Sequence, residues 1–174
     1  MKKILITAVV TVALACVFAS ASSTPGDTDG AGSPIYGVTI AQGYRQWELI
    51  AVSQEAGSLD ELRAILGNAA AMKAYREATL PFPDGTIIAK IAWKRSPSVG
   101  DDGALGRMQA FVPGAATTVQ IMVKDSKKYA TTGGWGFGRF INGKPVDKAQ
   151  HETCFACHEA HAKEQDMVFT RYAH

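Results

Sequence analysis

Cys154, Cys157 and His158 stand within one short run, Cys154-Phe155-Ala156-Cys157-His158. Two thiols at this spacing can close a disulfide, shuttle electrons, share a zinc ion or add to the two vinyl groups of one porphyrin edge. Each option makes a demand on the rest of the chain. A redox pair calls for a βαβ setting, which is absent from the surrounding pattern. A zinc site calls for a second ligand pair at metal spacing, and only His151 and His161 are near. The porphyrin option calls for a histidine directly after the second thiol, and His158 is there. On the first turn of a helix the two thiols meet one porphyrin edge, and the next residue is carried under the iron as an axial ligand. The pattern is that of one c-type haem held covalently through Cys154 and Cys157. An ordinary disulfide is the plain alternative.

Haem c is attached outside the cytoplasm, and the start of the chain agrees. Met1-Lys2-Lys3 is a positive start, Ile4 to Phe18 carries no charge, and Ala19-Ser20-Ala21 offers small residues for cleavage. This reads as a signal peptide over residues 1–21, with a periplasmic destination. The apolar run is too short for a comfortable membrane span, so none is expected once the signal is removed. Cys16 lies inside that run and follows a poor lipobox. Residues 22–33 are polar and glycine-containing, a flexible leader, and residues 34–174 form one haem-bearing domain. Without Lys2 and Lys3, basic and acidic residues balance at 16 each, and no basic stripe exists. A nucleic-acid partner is therefore not expected.

The thiols and the imidazole need a frame. From Ile35 to about Glu77 the apolar spacing reads as helical. Trp47, Ile50 and Ala51 would share one face, and Ser58-Leu59-Asp60-Glu61 would cap a helix with Leu62, Ile65 and Leu66 on its stripe. Gly67 would end it, and Asn68 would cap the next. Pro81 to Gly85 breaks the pattern. Strands are expected over Thr86 to Lys94, Arg107 to Val112, Thr117 to Lys124 and Trp135 to Ile141. Short connections make the sheet antiparallel. Val146 to about Lys163 turns helical around the haem motif, and Met167 to Tyr172 is a candidate last strand. The fold class is α+β: N-terminal helices, an antiparallel β-sheet and a C-terminal haem-bearing helix.

A sixth iron ligand is not evident. Met72, Met108, Met122 and Met167 are candidates by type, but Met72 reads as helix core and Met122 as strand core. His161 falls on the same helical turn as His158 and so on the proximal side. An open distal position, able to bind small molecules, follows.

Several motifs occur in a fixed order: Phe82-Pro83-Asp84-Gly85-Thr86, Ile87-Ile88-Ala89-Lys90, Lys124 to Tyr129, Gly133-Gly134-Trp135-Gly136-Phe137, the haem motif, and Asp166 to Tyr172. In order and content they resemble the cytochrome P-460 family from about Tyr44 to the C-terminus. The resemblance implies an exported, mostly β-sheet, homodimeric haem c protein that oxidises hydroxylamine and passes electrons to an exported acceptor such as a small cytochrome. It also implies a bond between a lysine nitrogen and the haem. Lys90 matches that lysine, on a strand face shared with Ile88 and Ala92, where an apolar setting favours the neutral amine. A solvated strand lysine is the plain reading. The sister group, cytochrome c-prime-beta, lacks the bond and binds nitric oxide or carbon monoxide; it supplies the alternative function, with a simple electron carrier as a third.

Hydroxylamine oxidation releases protons, so a carboxylate near the iron would assist. Glu152, before the haem motif, and Arg63, on the second expected helix, are the candidates for a pocket acid and its partner. Phe82 and Phe111 could wall the pocket, although core packing is the commoner fate of both.

Overall fold

The computed structural model describes residues 30–174. The signal segment, Cys16 and most of the leader lie outside the described residues. Six strands form one antiparallel sheet in chain order: β1 (Glu48–Glu55), β2 (Glu61–Gly67), β3 (Ile87–Pro97), β4 (Phe111–Lys124), β5 (Trp135–Ile141) and β6 (Lys144–Pro145). Among the described residues three α-helices accompany it: α1 (Ala69–Arg76), α2 (Val99–Leu105) and α3 (Lys148–Ala162). The fold is α+β, with α3 carrying the Cys-x-x-Cys-His run.

The region before Pro81 departs from the helical expectation. Among the described residues α1 is the one α-helix before Pro81, beside a 3-10 turn at Tyr44–Gln46; it is capped by Asn68, whose Oδ1 accepts the Ala71 amide at 3.0 Å. The same oxygen accepts the Ile87 amide at 3.1 Å, so one side chain ties α1 to β3. Trp47, Ile50 and Ala51 lie at or within β1 instead. Ser58 to Asp60 turn the β1–β2 hairpin, with Gly57 and Asp60 at positive φ, rather than capping a helix. The physical reason is burial on both faces. Ile65 and Leu66 are neighbours pointing to opposite sides of β2, yet both are buried. A strand covered on two sides loses its alternation, and its apolar residues mimic helical spacing.

Further along, the two expected strands Arg107 to Val112 and Thr117 to Lys124 are one, β4, which begins at Phe111. The charged, glycine-bearing separator before it contains α2. Trp135 to Ile141 is β5, as its pattern indicates. Met167 to Tyr172 forms no strand; its amides and carbonyls bond to α1 and to the end of α3 instead, and the next residue, Ala173, donates to Ile50 of β1.

The core gathers Trp135, Phe140, Ile50, Met72 and Ile121, all fully buried. Ile50 reaches it through an irregularity in the β1–β2 register between Leu49 and Ala51. On β5, Gly136 is required because the Tyr129 ring lies against it. A Cβ there would sit 2.3 Å from that ring.

Candidate cofactor site

Helix α3 starts on Asp147, whose Oδ1 accepts the Gln150 amide at 2.9 Å. His151 is fully buried and fixes the helix to the sheet. Its Nδ1 donates to the Asp147 carbonyl at 2.9 Å, and its Nε2 accepts the Arg139 amide of β5 at 3.1 Å. Spacing of three, four and seven residues then places Cys154, Phe155 and His158 on the same side of α3 as His151. Cys154 is half-buried and Cys157 exposed, and both are free thiols, so no disulfide uses them. Burial pushes the Cys154 thiol up, partly offset by the Arg139 charge. Among the described residues no group of three or more His, Cys, Asp or Glu could hold a metal ion, which leaves zinc without a ligand set.

His158 is oriented from its far side. Its Nδ1 stands 2.6 Å from the Met167 carbonyl. A carbonyl only accepts, so Nδ1 carries the proton and Nε2 keeps its lone pair for a metal. Phe137 of β5 and Phe169 of the tail flank the ring, with centroids 4.9 and 4.8 Å away. Burial lowers the His158 pKa; the Met167 hydrogen bond opposes this and the Lys90 charge adds to it. The imidazole is thereby held neutral, the form that ligates iron.

The sheet face toward α3 is organised in register rows, because residues directly opposite across a ladder share a face. Ile88, Met122 and Phe137 make an apolar row. The next row is Ile65, Lys90, Gln120 and Arg139. The row after that carries Arg63, Ala92 and Thr118. Polarity therefore rises along the face, starting from the end that meets His158.

Lys90 occupies the strand and face expected of it. Burial, with the Arg63 charge, brings its pKa down to about 8, against an opposing pull from Glu61. Its charge is felt at both His158 and Cys154. The structure thus gathers Lys90, Cys154 and His158. Arg63 lies near the same face but on β2 rather than on a helix. It binds Glu61 at 2.8 Å and Glu55 at 2.5 Å. Glu152 is not brought in: it is exposed on α3 and faces Lys148 at 3.4 Å. The buried carboxylate is Glu61. Burial alone would raise its pKa, but hydrogen bonds from Thr117 and Arg63 outweigh this and hold it low.

Phe82 packs in the core on Tyr75 and Trp135, and Phe111 is exposed beneath the Arg95 guanidinium. Neither flanks His158. The aromatic walls are Phe137 and Phe169, which the sequence reading did not single out. Arg139 was also missed, although its place two residues after Phe137 puts it on the same strand face.

A family model for cytochrome P460 matches residues 41–170. The chain belongs to the cytochrome P460 family. No curated protein matches it. A cytochrome family implies a haem, and the residues fit one. Two unpaired thiols and a neutral imidazole lie on adjacent turns of α3. Beside them Arg139 Nε is buried without a hydrogen-bond partner. An orphaned buried donor calls for an acceptor that a bound group would bring.

Proposed function

We propose that this cytochrome P460 family chain is a periplasmic mono-haem c protein that oxidises hydroxylamine. Cys154 and Cys157 would hold the haem through thioethers and His158 Nε2 would ligate its iron. Lys90 would form a third bond to the ring. When bound, haem supplies the redox iron that takes the substrate nitrogen and its electrons. The chain's own residues do the rest. The Met167 carbonyl fixes the tautomer of His158. Phe137 and Phe169 flank the His158 ring and limit its rotation. Burial keeps a fraction of Lys90 neutral near pH 7, the form in which an amine is nucleophilic. Arg63 holds Glu61 ionised on the same sheet face. Electrons would leave to an exported acceptor such as a small cytochrome.

The observation that carries this reading is Lys90, a lysine with its pKa brought down to about 8 within charge range of His158 and Cys154. An acceptor-dye assay with hydroxylamine tests it on the holoprotein. Turnover is expected, and none at all overturns the enzyme reading.

One observation favours the gas-binding alternative of the c-prime-beta kind. The row holding Lys90 contains no carboxylate, and Glu61 is committed to Arg63 and Thr117. A protein that binds nitric oxide or carbon monoxide without hydroxylamine turnover would fit that arrangement.

A further inference from the structure

The acceptor for His158 sits in a strained turn. Asp166 and Met167 are consecutive non-glycine residues at positive φ, 51° and 67°. Such a conformation is unfavourable for a residue with a side chain and persists only where its surroundings over-determine it. The Asp166, Met167 and Val168 amides close the turn onto the Lys163, Ala162 and Gln165 carbonyls, and an ion pair from across the fold anchors its side. Lys124 Nζ, at the end of β4, meets both carboxylate oxygens of Asp166 at 2.7 and 2.8 Å. Their side chains are 7% and 12% exposed. Asp166 Oδ2 also accepts the Phe82 amide at 2.9 Å, and Lys124 Nζ also donates to the Gly133 carbonyl at 3.0 Å. Every charged atom of the pair is satisfied, so the pair is a rigid clasp. The next residue after Asp166 presents its carbonyl to His158 at 2.6 Å.

We propose that Lys124 and Asp166 are positioning residues for the axial histidine: their clasp sets the Met167 carbonyl, and through it the donor strength of His158 toward iron. The inference rests on the haem reading above. A firm Nδ1–H···O=C bond gives the imidazole anionic character, which strengthens its bond to iron and favours the ferric state.

The test is resonance Raman spectroscopy of the ferrous holoprotein together with its reduction potential, in Lys124→Met, Asp166→Asn and Lys124→Arg. Lys124→Met and Asp166→Asn are expected to shift the iron–histidine stretch to lower frequency and the midpoint potential upward, with haem still on the Cys154–Cys157 peptide. Lys124→Arg, which keeps the charge, is expected to hold both near wild type. Asp166→Asn preserves shape and an acceptor for Phe82, so it keeps the test open if Lys124→Met does not fold. A merely structural clasp would lower the melting temperature and leave frequency and potential in place; that result overturns the proposal. An iron–histidine band missing from the wild-type protein would instead overturn the reading of an open, five-coordinate haem on His158, and the proposal with it.

Discussion

Lys90 differs from a surface lysine in how often its amine is neutral. With a pKa of about 8, about a tenth of it is unprotonated at pH 7, against well under a hundredth for an ordinary lysine. The same shift sets a pH dependence in protein lacking the lysine–haem bond. The folded state releases this proton near pH 8 and the unfolded chain only near the ordinary 10.5. Between those values the unfolded state binds more protons, so stability rises with pH across that window and the gain is absent below it. Thermal melts between pH 7 and 10 should show the rise, and Lys90→Met should flatten it. In holoprotein, Lys90→Ala should keep both thioethers and gas binding while hydroxylamine turnover falls at least tenfold. Tryptic cleavage after an unmodified Lys90, with haem only on the Cys154–Cys157 peptide, would show that the third bond does not form.

Among the elements, β5 and β2 carry the sharpest expectations. On β5, Gly136→Ala forces a methyl into the Tyr129 ring. Overpacking of this kind costs about 1–3 kcal/mol, and a fall in denaturation midpoint with unchanged slope would record it. On β2, Arg63→Ala strands the buried Glu61 carboxylate, a loss of about 3 kcal/mol at neutral pH. Glu61 is depressed in the folded state, so its stabilisation is present above the ordinary carboxylate pKa and lost as pH falls through the lowered value. The variant should therefore show a weaker acid transition than wild type in pH melts. These elements also show what could be read from sequence. β3 is rich in β-branched and apolar residues, β5 carries an aromatic-glycine signature, and α3 announces itself through its thiols and histidine. Asn68 marks α1 because its cap chemistry is local. β1 and β2 were read as helices because Ile50 enters the core at a register break and β2 is covered on both sides. Periodicity carries no information about either. The place of Lys90 on β3 was legible through its motif. Arg139, Asp166 and the Met167 carbonyl were not, since their importance comes from contacts between residues far apart in the chain.

At the scale of the whole molecule, no helix among the described residues is long and apolar enough to cross a membrane. Export and a homodimeric assembly are expectations from the signal-like start and the family resemblance. The mass of the purified exported protein should match a chain cleaved after Ala21, with one haem added. Light scattering at micromolar concentration should give twice the chain mass. A monomer mass would remove the dimer. An uncleaved terminus would remove the signal peptide.

Arg139 stands on the cofactor face with a permanent charge, and no carboxylate among the described residues pairs with it. This bears on what can leave the site. Hydroxylamine and nitrous oxide are neutral and feel little of such a charge. Nitrite is an anion and would be retained by it, most firmly at low ionic strength. A reaction ending in nitrous oxide would then clear itself, while one ending in nitrite would be slowed by its own product. Adding salt should relieve that slowing, and Arg139→Gln should abolish it.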